Sequence, residues 1–421
     1  MKKLSTKGKR FLGDQTVIAT VDLGKSMNWG YMRGPDGRDI KPFGFSNDGH
    51  GFNEFLSRIF KFMKSHSLKD VVVGFESTGP YGEPLSHYLE KQGIRLVQVN
   101  PMHTKRIKEL QGNSPEKSDK KDPKVIADVI ELGHALSVII PKGASAELRR
   151  LSWARERAVA RRTVLLNQLH ELIFILFPEF LTVMKDMKGK TSRYLLSNHP
   201  TPQDVLELGI KPLKSIMKTI SRGKLGEERA QALYEAALDS VGLSEGRWAI
   251  IFEVESLLSL IDATDQIIDD LEQKMSEYLE GISQAKFILS LKGIGKVTAA
   301  GIIGEVGDFS KFSTASEVLK LAGLDLYEIS SGNYKGSRRI SKRGRPLMRK
   351  LLFFATLNMV RKGAIFNADY QRHLEKGMPK MKALIAITRK LLRLIFALVR
   401  DQSFYVSDYP GRQVPVLSDA A

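Results

Sequence analysis

Short apolar runs that end on a carboxylate constrain this chain most. Residues 16–21 alternate β-branched and small apolar side chains and then reach Asp22 and Gly24, while Val71, Val72 and Val73 form a continuous run that ends at Glu76. A run of the second kind is typical of a strand covered on both faces. Asp119 and Asp122 add two acids where a later helix begins. Gathering such groups is costly, because two unit negative charges about 4 Å apart repel by roughly 4 kcal/mol at an effective dielectric of about 20. A cluster of four calls for a divalent cation, and ligands that are all oxygen suit magnesium or manganese.

Between these acids a turn signal at Gly34, Pro35, Asp36 and Gly37 separates extended runs over 29–33 and 39–45. They read as a hairpin beside the first strand, so three antiparallel strands come first. Phe52, Phe55, Leu56, Ile59, Phe60 and Met63 then recur at helical spacing. A helix over 85–92 and a buried strand over 96–99 follow. The order strand, strand, strand, helix, strand, helix, strand, helix is that of an α/β ribonuclease H-like domain, expected over residues 1–144. In such a sheet a carboxylate on the first strand, another ending the fourth and a pair at the last helix meet at one edge. Two metals roughly 3.5 to 4 Å apart can clamp a scissile phosphate there. Taken singly the acids have plainer readings: Asp22 as a turn residue, Glu76 as a salt-bridged strand end, and Asp122, before Pro123, as a helix N-cap.

The chain has 421 residues, enough for two or three domains. Its 65 Lys and Arg against 47 Asp and Glu leave a formal charge of +18. That field favours a polyanionic partner, nucleic acid first. No apolar h-region follows the basic N-terminal residues, and the longest apolar stretch, 394–399, is far short of the roughly 20 residues that span a bilayer. A soluble, cytoplasmic protein without a membrane partner is expected. With no cysteine, disulfides, zinc-thiolate sites and thiol catalysis are excluded.

Leu165, Leu169, Leu172 and Leu176 step by four, three and four, and Leu257, Ile261, Thr264, Ile268, Leu271, Met275 and Tyr278 keep the same rhythm. Residues 145–285 are therefore expected to hold two long helices with a coiled-coil seam, serving as an internal hairpin or as an oligomer contact. A mostly helical subdomain is inserted between them, over residues 178–245. From 286 to 405 a mostly α domain is expected, with a tail over 406–421. Gly293, Gly295 and Lys296 mark a helix-hairpin-helix, whose glycines admit a phosphate to the backbone and whose second helix aims its N-terminal amides at it. A hairpin that merely packs fits the same residues. Lys335, Arg338, Arg339, Lys342, Arg343, Arg345, Arg349 and Lys350 then follow with no acid among residues 333–350. They form either a phosphate track or a solvated loop. Ser331, beside Gly332, reads from spacing alone as a turn serine; among arginines it could instead be a nucleophile.

Several of these segments, namely Val21-Asp22-Leu23-Gly24-Lys25, Glu76-Ser77-Thr78-Gly79-Pro80-Tyr81, Val99-Asn100-Pro101 and Lys117-Ser118-Asp119-Lys120-Lys121-Asp122, together resemble the insertion-sequence one-ten family of transposases, the recombinases related to the Piv invertase. Gly293-Ile294-Gly295-Lys296-Val297-Thr298-Ala299, Leu321-Ala322-Gly323-Leu324, Ser330-Ser331-Gly332 and Ile340-Ser341-Lys342-Arg343-Gly344 extend the resemblance to the last third. Pro123, where many relatives have alanine, and Lys292, in place of a common proline, depart from the pattern. The resemblance implies a RuvC-like domain whose metal-binding tetrad is Asp22, Glu76, Asp119 and Asp122, and a C-terminal transposase domain whose nucleophile is Ser331. It further implies a phosphoserine link to a DNA 5′ end, a structured bridge RNA pairing with donor and target DNA, and a homodimer or homotetramer. Two other readings compete: a metal-dependent, structure-selective nuclease such as a junction resolvase, with Ser331 only a turn, and a basic DNA-binding protein without chemistry.

Overall fold

The computed structural model describes residues 12–76, 79–111, 122–328, 330–331, 334–336 and 338–407. They group into two compact units, one of residues 1–142 with 306–421 and the other of residues 143–305. The first unit opens with a mixed six-stranded sheet. Its elements are β1 (Thr16–Asp22), β2 (Met27–Arg33), β3 (Phe43–Ser46), α1 (Gly49–Ser65), β4 (Asp70–Glu76), α2 (Glu83–Lys91), β5 (Arg95–Val99), α3 (Pro101–Gln111), α4 (Asp122–Glu131) and β6 (Ala135–Ser137). Strand order is β3-β2-β1-β4-β5-β6, with β1, β4 and β5 parallel and the others antiparallel to their neighbours. This arrangement is compatible with the ribonuclease H-like expectation.

Side-chain alternation along the strands explains why helices cover both faces. Val17, Ala19 and Val21 of β1, with Val71, Val73 and Phe75 of β4, pack against Phe52, Phe55 and Ile59 of α1 and Leu85 and Leu89 of α2. Ile18 and Val72 point the other way, into a core shared with Ile126, Ala127, Val129 and Ile130 of α4. Gly74 lies on this second face. A Cβ there would come within 2.2 Å of the Ile130 side chain, so the glycine lets α4 sit close on the sheet.

The expected third strand over 39–45 is shorter than its sequence pattern: β3 begins at Phe43, and Asp39 makes only an isolated bridge to Arg33. Two elements were not foreseen, α3 and the antiparallel strand β6. For α3 the signal was present. Asn100 caps the helix by accepting from the Met102 amide at 2.9 Å, and Pro101 occupies the first position, where its missing N–H costs nothing.

The second unit holds α5 (Ala144–Leu176), α6 (Phe180–Val183), α7 (Lys190–Asn198), α8 (Pro202–Leu208), α9 (Ile210–Ile220), α10 (Glu227–Leu238), α11 (Arg247–Glu280), α12 (Ala285–Leu289) and α13 (Lys296–Val306). The long helices α5 and α11 pack antiparallel. Arg155 pairs with Glu272 at 2.7 Å and Arg162 with Asp265 at 2.8 Å, a step of seven along each helix in opposite directions. The segment between them is helical and packs Phe177, Phe180, Leu195, Leu213, Met217 and Leu233 into a core shared with Leu169 and Ile173 of α5 and Val254, Leu257 and Ile261 of α11.

The chain then returns to the first unit through α14 (Ala315–Leu321), two-residue strands β7 (Leu326–Tyr327), β8 (Ser330–Ser331), β9 (Tyr334–Lys335) and β10 (Arg339–Ile340), and helices α15 (Pro346–Met359), α16 (Asn367–Glu375) and α17 (Lys380–Arg400). A buried contact of 3.0 Å between the hydroxyls of Thr388 and Thr356 joins α17 to α15. No helix among the described residues is long and apolar enough to cross a membrane.

Candidate active site at the carboxylate edge of the sheet

Strands β1 and β4 run parallel with Val21 opposite Phe75, so Asp22 and Glu76 close neighbouring strands at the same end of the sheet. Glu76 lies opposite Val99 of β5 and accepts a hydrogen bond of 2.9 Å from the Thr104 hydroxyl of α3. Asp122 opens α4. The buried Thr20 hydroxyl, two residues before Asp22, donates to the Pro123 carbonyl at 2.6 Å, which ties the start of α4 to the end of β1. With the packing of Ile126, Val129 and Ile130 on the sheet, that bond places a third carboxylate at the edge.

The rest of α4 is clamped from the flank. Arg33 of β2 pairs with Asp128 at 2.7 Å and with Glu131 at 2.8 Å, and Lys124 pairs with Asp39 at 3.2 Å. Tyr31 donates its hydroxyl to Asp39 at 2.7 Å. Burial and that carboxylate push the phenol up to about 12, so it stays a donor at any physiological pH. The carboxylate of Asp122, mostly buried, meets the Lys108 ammonium of α3 at 2.7 Å.

Helix α3 therefore touches two of the acids, through Thr104 and Lys108. It also brings His103 to the same end, with its ring 5.2 Å from that of His134, the residue before β6. Burial, the nearby His134 and Arg343 hold His103 below the usual imidazole value. Its Nδ1 is buried without a hydrogen-bond partner. These α3 groups have no signal of their own in the sequence beyond the Asn100-Pro101 start of the helix that carries them.

Asp119 lies outside the described residues, as do the side chains of Ser331 and Lys335. Among the described residues no group of three or more His, Asp or Glu side chains is gathered tightly enough to hold a metal ion. The donor chemistry of Asp22, Glu76 and Asp122 nonetheless fits a hard divalent cation, since all three offer carboxylate oxygens. Lys108 already supplies positive charge at one of them.

The C-terminal motifs interlock. Leu321-Ala322-Gly323-Leu324 forms the turn after α14, with Gly323 in the left-handed region at φ 67°. The Lys342 amide donates to the Gly323 carbonyl at 3.0 Å and the Arg345 amide to Leu321 at 2.8 Å. Gly344 packs so closely that a Cβ would lie 2.4 Å from the Gly323 nitrogen. Arg349 and Arg389 donate to the carbonyls of Ala322 and Leu324 at 2.8 and 2.9 Å.

The basic run is thus not uniformly available. Arg338 pairs with Glu328 at 2.8 Å, and Arg345 donates to the Ile139 carbonyl at 3.1 Å, within the same unit as the sheet. Arg339 is exposed, and Lys342, at φ 54°, and Arg343 project into solvent from the pinned loop. Ser331 pairs by its backbone with Tyr334 in the β8–β9 hairpin. Gly293, Gly295 and Lys296 belong to the second unit. Gly293 has φ 108°, a Cβ on Gly295 would meet nothing, and the Lys296 ammonium donates to the Ser276 hydroxyl at 2.8 Å.

Comparison with known proteins bears on both ends of the chain. Residues 19–178 match the IS110 DEDD transposase family model, and residues 285–371 match the model described as transposase, IS116/IS110/IS902 family. The chain is 22% identical to the 43.6 kDa protein of insertion element IS110 from Streptomyces coelicolor, over 94% of this chain and 97% of that protein. It is 24% identical to the transposase for insertion sequence element IS1111A of Coxiella burnetii, over 74% and 73%. A pilin gene-inverting protein of Moraxella bovis is 30% identical over 120 residues, 28% of this chain and 37% of that one.

Proposed function

Because the chain belongs to the IS116/IS110/IS902 family of transposases, we propose that it cuts and rejoins DNA through a covalent phosphoserine at Ser331, with a divalent metal held by Asp22, Glu76, Asp119 and Asp122. The observation that carries this reading is the presence of Asp22, Glu76 and the start of α4 at one edge of a rigid sheet. Magnesium bound there would offset the charge that develops on the scissile phosphate.

The side chains divide the work. The Ser331 hydroxyl attacks phosphorus, a bond forms to its oxygen, and the bond from phosphorus to the 3′ oxygen breaks. The proton that the serine loses is matched by the one that the 3′ oxygen gains. A DNA 5′ end is left on the protein, and attack by another 3′ hydroxyl reverses the step and rejoins strands without a nucleoside triphosphate. Lys335, Arg338, Arg339, Lys342, Arg343 and Arg345 hold phosphates near the serine loop, and the hairpin at Gly293, Gly295 and Lys296 holds a further stretch of backbone. Sequence choice falls to a structured bridge RNA that pairs with donor and target DNA, and the active form is a homodimer or homotetramer. The net charge of +18 supports two nucleic acids as partners.

A covalent-trapping assay tests this. Purified protein, magnesium, DNA spanning the element's junction and RNA transcribed from its flank are combined, denatured and resolved beside Ser331→Ala. A protein-linked DNA band that the variant lacks is the expected result. Cleavage to free ends by both proteins would make the chain a metal-dependent nuclease and Ser331 a turn residue.

A further inference from the structure

The second unit contains a charged surface that this chemistry does not use. Between Leu208 and Gly226 the chain carries Lys211, Lys214, Lys218, Arg222 and Lys224 and no carboxylate. Elsewhere in the unit Arg157 and Arg161 are scattered exposed cations rather than a patch free of carboxylates, whereas three arginines are neutralised internally, Arg155 by Glu272, Arg162 by Asp265, and Arg193 by Asp262 and Asp265. On α9 only Lys214 is treated this way, by Glu227 at 2.6 Å. Lys211, Lys218, Arg222 and Lys224 are exposed and make no direct ion pair among the described residues, although the Lys218 charge, after that of Lys214, helps to hold Glu227 below the usual carboxylate range.

Helix packing does not account for them. Leu213 and Met217 turn the apolar face of α9 into the subdomain core, where both are fully buried. The opposite face shows Lys211, Ser215, Lys218 and Thr219, with Arg222 just past the last turn. Lys218 and Arg222 sit where the helix dipole welcomes a cation. Lys211, in the first turn, sits at the wrong end, and α9 has no acid there to compensate. A positive charge kept against the dipole and facing solvent is suited to an external anion.

We propose that the outer face of α9 is a docking surface for the phosphate backbone of duplex DNA. Lys211 and Lys218 are seven residues apart, about 10 Å along the axis at roughly 1.5 Å per residue. That span is close to the major groove of B-form DNA, about 12 Å wide, so the two ammonium groups reach phosphates on opposite sides of one groove. In A-form RNA the major groove is too narrow for this span, and the wide minor groove presents 2′-hydroxyls, for which the α9 face offers few groups beside its cations. Ser215 and Thr219 lie between the lysines as neutral donors of the kind that touch phosphates without reading bases. The surface rests on DNA being the substrate and adds a contact outside the serine and carboxylate chemistry.

The test is the affinity of the full chain for a DNA duplex and for an RNA duplex of the same sequence, followed by anisotropy from about 50 to 200 mM salt. The variants are Lys211→Gln/Lys218→Gln/Arg222→Gln, its counterpart with arginine at both lysines, and Arg338→Gln/Arg339→Gln in the first unit. Loss of three phosphate contacts should weaken DNA binding about tenfold or more at low salt and flatten the log–log salt slope by about 2 to 3. The arginine form should bind as the parent does, which separates charge from folding. An unchanged slope, or a loss confined to RNA, overturns the assignment. If the α9 variant binds normally while the Arg338/Arg339 variant does not, the inference fails and the proposed function stands. If the parent chain binds no DNA, both fail.

Discussion

The carboxylate edge of the sheet and the seam of the long helix pair both bring acids into partly buried positions, and they treat them in opposite ways. On the seam Glu272 and Asp265 each have a guanidinium. Burial pushes the Asp265 carboxyl up, but hydrogen bonds from Arg162 and Arg193 outweigh it and hold the group below the usual carboxylate range. At the edge, Glu76 receives a threonine hydroxyl and Asp122 a lysine that is more than a third exposed. Charge that serves structure is neutralised by the chain itself. Charge left with weak internal partners is suited to a cation from outside.

The contrast can be broken most decisively at Asp22. Asp22→Ala should lower magnesium-dependent strand cleavage by about 10³-fold or more, the scale of losing a main electrostatic support of the transition state. DNA binding should be kept; an active variant in a single-turnover assay would remove the metal assignment. Next in size is Asp265→Asn, which strands two arginines on the seam and should cost about 1 to 3 kcal/mol, read as a lower midpoint in chemical or thermal unfolding. Its cleavage rate at 25 °C should match the parent. Equal effects of both substitutions on cleavage and on stability would erase the distinction between the two regions.

Acid sharpens the same point. The folded-state value of Asp265 is depressed, so its contribution is present above the ordinary carboxylate value of 3.8 and disappears as pH falls through the lower folded value. The melting gap between the parent and Asp265→Asn should therefore hold from pH 7 to pH 5 and close below about pH 4. A gap that persisted in strong acid would mean that packing, not charge, explains the variant. The smallest expected effect is at the edge itself. Glu76→Gln relieves repulsion among the acids and should leave the metal-free melting temperature unchanged or slightly raised. Added magnesium should stabilise the parent and not the variant, the signature of a ligand that binds only the folded state.

The sequence disclosed most where burial and periodicity agree. Val71, Val72 and Val73 lie in β4 with helices on both faces, and Phe52, Phe55 and Ile59 face the sheet from α1 as their spacing predicts. It disclosed less where an element is short or held by neighbours. β6 has three residues and no alternation of its own, and β3 begins only after Pro42, whose missing N–H breaks the ladder between the Asp39 bridge and Phe43. The site was legible as a set of acids but not as an arrangement. Nothing local to Asp122 announces that Thr20, 103 residues before Pro123, holds the first turn of its helix, or that α3 supplies its lysine. The motif Leu321-Ala322-Gly323-Leu324 is likewise legible as residues, whereas its fit against Gly344 depends on a close backbone approach between segments distant in the chain.

The hydrogen bond from Arg345 to Ile139 joins positions 206 residues apart, with the whole helical unit synthesised between them. At a translation speed of roughly 5 to 20 residues per second, the sheet leaves the ribosome some 10 to 40 s before its basic partner loop exists. During that interval the nascent chain can complete the carboxylate edge and the helix pair, but not the unit that joins sheet and serine loop. Synthesis itself thus acts as a timer: a half-made chain displays the carboxylate edge before Arg345 exists to tie the C-terminal loop to it.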